Sequence, residues 1–293
     1  MNKSERIKEL LNDNLNIVVV ERIYNGRFSE IDKVYHKKYP HKIYARKRFI
    51  MDKFYKITQI KPEEFDKHIR ILLRKNHNNI IRMFSYQSEE IGNPYYTVFM
   101  KYYERGSVQD IMNLVKKPID TSQIKVWMIK LLSALHFFHD RCYAHRNLRL
   151  SSYLVASNND ILISGFGKQV TGYHYSYEIM RLTLFNDIIY QAPEMSNICA
   201  SVWPYNAQQT DLWAMGVCLF IMINYDPPFP IELYEKDQIK FLQNQRNCNY
   251  IFQTQYSTSD NETLRQLCSY FLEPIPARRI TALQALTHSS LFH

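Results

Sequence analysis

Glycine is scarce in this chain, with 7 residues in 293. Proteins average about 7% glycine, so linker-rich, collagen-like and low-complexity architectures are excluded, and each remaining glycine becomes informative. The five cysteines, Cys142, Cys199, Cys218, Cys248 and Cys268, are an odd set with no CxxC spacing. That excludes a disulfide framework and a zinc site as organising devices, and the thiols are expected to be reduced residues of the core. Long apolar runs are missing as well. A run such as Gly216 to Ile223 falls far short of the about 20 residues that a membrane helix needs, and the opening MNKSERIKELLNDN is charged. No membrane association is expected, and the expected location is cytoplasmic, with the nucleus as the alternative.

Apolar side chains make up 46% of the chain, and 22 Tyr with 16 Phe supply much of that bulk. This is enough to bury a substantial core. Positive charge is in excess, at +9, and is unevenly placed. Residues 1–100 hold 20 Lys and Arg against 12 Asp and Glu, and the remainder 17 against 16. Between Lys33 and Lys56 nine basic residues face the single acid Asp52. An acidic protein partner, a nucleic-acid groove and the solvated face of a small sheet all fit such a stretch, but no element that reads bases accompanies it, so nucleic acid is not expected as a partner.

Along the chain, NIVVVERIY, EIDKVYHK and KIYARKRF are rich in β-branched and aromatic residues and predict three antiparallel strands between Asn16 and Phe54. Phe65, Ile69, Leu72 and Leu73 recur at helical spacing behind a Pro-Glu-Glu start, predicting an amphipathic helix over 62–75. Two further strands, over 81–87 and 95–101, complete a five-stranded lobe. From Ser107 onward SVQDIMNLV and SQIKVWMIKLLSALHFFHDR are helical in period, and only SYLVAS and DILIS, parted by Asn158 and Asn159, read as strands.

Seven motifs then stand in a fixed order. YARKRF places Lys47 on the third strand, NHNNI follows the helix, and AHRNL and GFG come after the long helix. QAPE supplies Glu194, TDLWAMG supplies Asp211, Trp213 and Gly216, and PARRIT supplies Arg279. With them the chain resembles the eukaryotic protein kinase family over about 20–290. Its later segments are most similar to the calcium/calmodulin-dependent kinase group, near the testis-specific serine kinases. The resemblance implies an α+β, bilobal protein-kinase-like fold. A small five-stranded antiparallel β lobe with one main helix would occupy 1–101, and a larger, mostly α-helical lobe 102–293. It also implies that Glu194 pairs with Arg279.

The family works by positioning a nucleotide triphosphate and neutralising its charge, and here several of its parts are replaced. Of the glycine-rich loop only Gly26 remains, with Tyr24 and Ser29 at the flanking glycine positions, where side chains hinder a close backbone approach to phosphate. Lys47 is kept, but His68 stands at the glutamate that would pair with it, and Glu64 lies one turn away. Asn147 stands at the catalytic aspartate, Arg149 at the following lysine, Ser152 at the metal-binding asparagine and Gly165 at the metal-binding aspartate. Mg²⁺ is normally held by one or two carboxylates plus phosphates, so no metal is expected and any ATP binding, through Lys47 and Gly26, would be weak and metal-independent. Thr183 stands where a phosphorylated residue often lies in the family, with Arg146 to receive the phosphate, and Asp187 replaces a Ser or Thr before the substrate-contacting loop.

Taken alone, these exchanges predict a pseudokinase: a non-enzyme that uses a kinase-shaped surface to regulate or scaffold a signalling partner, such as a protein kinase. The competing class is an enzyme, either a residual kinase or one holding nucleotide in an atypical way, and Lys47 is its strongest support.

Overall fold

The β-branched and aromatic residues of the first strands have a direct structural outcome. A computed structural model of the chain describes residues 16–58, 63, 65, 69, 73, 76–89, 95–165, 170–171, 188–195, 205–253 and 261–288. They fall into two compact units, 1–104 and 105–293. In the first, β1 (Ile17–Asn25), β2 (Ser29–His36), β3 (Tyr39–Ile50), β4 (Met83–Glu89) and β5 (Tyr95–Lys101) form one antiparallel sheet in the order β1-β2-β3-β5-β4. The expected five strands are all present.

Because side chains alternate across a strand, the register sorts β3 into two faces. Tyr44, Arg46 and Arg48 lie opposite Val34, Asp32 and Glu30 of β2, and Lys47 lies opposite Ile31. On the face of Val34 and Tyr44, Phe99 is also fully buried and Ile17 and Phe84 pack alongside. On the other, Phe49 joins an aromatic cluster in which its ring meets Phe54 at 5.9 Å and Phe65 at 4.8 Å. Phe65 stacks in turn on Tyr96 at 5.4 Å. Each such pair contributes about 0.5–1.5 kcal/mol beyond the burial of its area.

Residues 63, 65, 69 and 73 are helical, in line with the expected helix, and Phe65 and Ile69 are buried. The lobe also holds a helix that the expectation of one main helix omits, α1 (Met51–Thr58), directly after β3. Met51 and Phe54 are its buried positions. With one apolar turn, eight residues are too few for a periodic signal to emerge from the strand pattern that precedes them.

The second unit is built on helices. α2 (Val108–Val115) starts at Ser107, whose hydroxyl accepts from the Asp110 amide while the Asp110 carboxylate accepts from the Ser107 amide. α3 (Thr121–His139) starts at Asp120 and buries the stripe Ile124, Trp127, Met128, Leu131, Leu132, Leu135 and Phe138. β6 (Tyr143–Ala144), β7 (Tyr153–Val155), β8 (Ile161–Ile163) and β9 (Val170–Thr171) pair as β6 with β9 and β7 with β8. α4 (Ala207–Asn224) is buried on every side from Thr210 onward, as a helix apolar all round must be. α5 (Ile231–Lys236), α6 (Gln238–Arg246), α7 (Glu262–Phe271) and α8 (Ala282–Leu286) complete the unit. Among the described residues no helix is long and apolar enough to cross a membrane.

The cysteines divide. Cys218 and Cys268 are buried, and burial pushes both thiols well above their ordinary value. Cys142 and Cys248 are exposed, which corrects the expectation of core thiols for these two. Cys199 lies outside the described residues.

Candidate active site

In the second unit the segment between β6 and β7 is held by one carboxylate. Asp211, near the start of α4, is 1% exposed and accepts from the His145 amide at 2.7 Å and the Arg146 amide at 2.6 Å. His139 Nε2, at the end of α3, lies 3.0 Å from the same carboxylate. Charge-assisted bonds to backbone donors are short and about twice as strong as neutral ones, and here they fix Arg146 in the left-handed region, at φ 58°. The fully buried His145 ring continues the frame. Its Nε2 donates to the Ser164 carbonyl at 2.8 Å, and its Nδ1 accepts from the Asn147 amide at 3.3 Å. A carbonyl only accepts, so the proton sits on Nε2 and the imidazole is neutral.

Onto this frame the fold brings together three of the exchanged positions. Ser152 is buried and donates its hydroxyl to the Asn147 carbonyl at 2.7 Å, and its own carbonyl accepts from the Ser164 amide at 2.7 Å. Asn147 Nδ2 donates to the Gly165 carbonyl at 3.5 Å. Gly165 has φ +90°, and a Cβ there would lie 3.0 Å from Ser152 Oγ and 3.6 Å from Asn147 Nδ2. Asn147, Ser152 and Gly165 therefore share one small space. Asp160 does not enter it: that carboxylate is bound to Lys130 at 2.8 Å, ahead of β8. The donor set around Gly165, an amide, a hydroxyl and carbonyls, does not fit a magnesium ion held by protein carboxylates. Among the described residues no group of three His, Cys, Asp or Glu is placed to hold a metal ion. Gly165→Asp alone is expected to lower the melting temperature rather than install a ligand, because the new Cβ meets Ser152 at a backbone conformation that L-residues avoid. Thermal unfolding with and without Mg²⁺ checks this.

The first unit carries the other candidates. Lys47 lies on the face of Phe49, with Nζ 4.6 Å from that ring's centroid. Gly26 turns the chain between β1 and β2, its amide donating to the Ser29 carbonyl at 2.9 Å. The Tyr24 ring folds against Gly26, so that a Cβ there would collide with it. Tyr24 thus lies against the turn, and Ser29 is buried. The basic stretch is less free than its composition implies. Arg46 and Arg48 are bound to Asp32 and Glu30, at 2.8 and 2.9 Å.

His68, Glu64, Thr183 and Asp187 lie outside the described residues. Arg146, the expected receiver of a phosphate, donates instead to the Tyr205 hydroxyl at 2.7 Å. The structural pair is present as expected: Arg279 meets Glu194 with two bonds, at 2.7 and 3.1 Å. Sequence reasoning missed Tyr205 and His139, and no motif marks either one.

A model of the protein kinase domain matches residues 17–291. The chain belongs to the protein kinase family. The five-stranded antiparallel N-terminal unit and the helical C-terminal unit are those of its bilobal α+β fold. Among characterised relatives, "Probable serine/threonine-protein kinase MARK-A" of Dictyostelium discoideum is 29% identical over 75% of this chain and 20% of its own length. "Serine/threonine-protein kinase 33" of Mus musculus is 28% identical over 77% of this chain and 45% of its own. "Phosphorylase b kinase gamma catalytic chain, liver/testis isoform" of Bos taurus is 27% identical over 78% and 56%. The chain thus spans between a fifth and little more than half of these relatives. Their names correct the expectation of a non-enzyme. They are kinases and a catalytic chain, and they point to a kinase enzyme.

Proposed function

We propose that the chain is a slow, atypical nucleotide-using enzyme of the protein kinase family, which transfers phosphate to a protein hydroxyl and docks a signalling protein, a protein kinase being the expected kind. One observation carries the reading. The catalytic-loop frame is intact, pinned by Asp211, while Asn147, Ser152 and Gly165 meet in it as neutral groups. In such a frame Asn147 can orient a hydroxyl by accepting its hydrogen bond but cannot take its proton. The hydroxyl oxygen bonds to the γ-phosphorus as the bond to the leaving diphosphate breaks, and the proton passes to water or to a phosphate oxygen. Lys47 supplies positive charge for the phosphates.

Losing a general base costs about 10²- to 10⁴-fold, against a family turnover of about 1–100 s⁻¹. The test is single-turnover transfer from radiolabelled ATP to dephosphorylated casein, with Mg²⁺ or with EDTA. Transfer slowed by at least that factor, since the metal's charge is missing as well, persisting in EDTA and lost in Lys47→Ala, is the expected result. Transfer that needs Mg²⁺, or a signal no greater than that of Lys47→Ala, would overturn the reading.

A further inference from the structure

β1 is the edge of its sheet. Among the described residues β2 is the one strand that pairs with it, and from Val19 to Asn25 every residue is exposed. Val19 and Val20 are 48% and 50% exposed. The opposite edge is treated differently, since Met83 and Ser85 of β4 are buried. Open edges invite a further strand, and proteins blunt them with bulges and charges. β1 has such devices from Val20 onward: the register shift between Val19 and Glu21 leaves Val20 without a Cα partner on β2, and Glu21, Arg22 and the shift at Arg22/Tyr24 follow. Ile17 to Val19 pair regularly with His36, Tyr35 and Val34, and Ile17 to Val20 carry no charge.

Charge is concentrated at the end of this open stretch. The Lys37 amide donates to the Asn16 carbonyl at 2.9 Å, which places the β2–β3 turn beside the start of β1. Lys37, Lys38, His41 and Lys42 are exposed there, with Lys42 Nζ over the Tyr39 ring at 4.7 Å. No acid occurs between Lys33 and Met51.

We infer that Ile17–Val20 is a docking edge for an extended acidic segment of a protein partner. The segment adds as a sixth strand, sets apolar residues beside Val18 and Val20, and places its carboxylates at Lys37, Lys38 and Lys42. Main-chain bonds supply affinity in this mode and alternate side chains supply specificity, while the lysines speed association and make it sensitive to salt. The inference rests on the partner-docking half of the proposed function and not on phosphate transfer, so it is tested without nucleotide.

The probe is a labelled Glu-Val-Glu-Val-Glu-Val-Glu peptide added to the full chain, with hydrogen exchange and fluorescence anisotropy as readouts. Slowed exchange at Ile17–Val20 is expected. So is a loss of affinity of at least about tenfold, equal to about 1.4 kcal/mol, with an N-methylated peptide, with its Lys-Val counterpart and with the variant Lys37→Glu/Lys38→Glu/Lys42→Glu. That variant should keep the parent melting temperature, since exposed charges contribute little to stability. Equal binding of the N-methylated peptide, or its displacement by single-stranded RNA, would make the site a general anion patch and overturn the inference. So would protection of Ile17–Val20 without peptide, arising from self-association or removed by deleting residues 2–15. Loss of ATP turnover with this binding intact would instead count against the proposed enzyme alone.

Discussion

Arg279→Ala is expected to lower the melting temperature of the C-terminal unit by roughly 6 to 20 °C. The guanidinium is 2% exposed and every one of its nitrogens is used. Nη1 and Nη2 hold the Glu194 carboxylate, Nη1 also donates to the Gln209 carbonyl at 2.6 Å, and Nε donates to the Glu273 carbonyl at 2.9 Å. Its plane lies over the Trp213 ring, 5.1 Å from the centroid. Alanine takes the guanidinium donors from a largely buried carboxylate and from the Glu273 carbonyl, while the Gln209 carbonyl keeps its helical donor. Removing one member of a buried ion pair costs about 3–5 kcal/mol, and each kcal/mol moves the midpoint by about 2–4 °C in a unit of this size. Arg279→Lys should recover part of the loss at most, because an ammonium cannot reproduce the fork. Scanning calorimetry with a Glu194→Gln/Arg279→Met double variant completes the test. If the single Arg279→Ala variant shifts the midpoint by no more than an exposed control such as Lys42→Ala, the pair does not hold the unit together.

That ion pair is legible in the chain because two motifs, QAPE and PARRIT, carry its partners in a known order. Strands β1 to β3 and helix α3 are legible for a different reason, since β-branched and aromatic content in the strands and an apolar period of about 3.6 in the helix are local properties of the chain. Contacts that join distant residues without a motif leave no trace. Tyr205 meets Arg146 across 59 positions, and His139 meets Asp211 across 72; nothing in either neighbourhood marks the partner. The site shows the same division. That Asn147, Ser152 and Gly165 stand at exchanged positions can be read from spacing, whereas the 3.0 Å between Ser152 Oγ and a Cβ on Gly165 cannot. Nor can residue exchanges decide enzyme from non-enzyme. Membership of the family is shown by similarity along most of the chain.

One network lies within reach of the sequence although no motif carries it. Glu30 and Asp32 alternate on one strand and Arg46 and Arg48 on another, the period that sets opposite charges face to face in a sheet.

Asp32→Asn is expected to destabilise the N-terminal unit by an amount that disappears in acid. The Asp32 side chain is fully buried and is held by Arg22 and Arg46, each at 2.8 Å, with Arg48 at 3.6 Å. Burial by itself would raise the carboxyl's pKa. The hydrogen bonds and charges of Arg46 and Arg22 together outweigh it, and the group is held below its ordinary value of 3.8. A carboxyl whose pKa is lower folded than unfolded contributes stability that is complete above the unfolded value, about 3.9. That contribution is lost as pH falls through the folded one. The asparagine variant keeps the shape and loses the charge, leaving Arg46, 15% exposed, short of an anion. The cost at pH 7 should lie toward the lower end of about 3–5 kcal/mol, since Arg22 is 39% exposed and can turn to water. Denaturant unfolding of parent and variant from pH 7 down to pH 3 gives the comparison. The gap between them should hold steady to about pH 5 and narrow below about pH 4. A gap that does not change across this range would mean that Asp32 stabilises the sheet by packing and neutral hydrogen bonds, and that its charge contributes nothing.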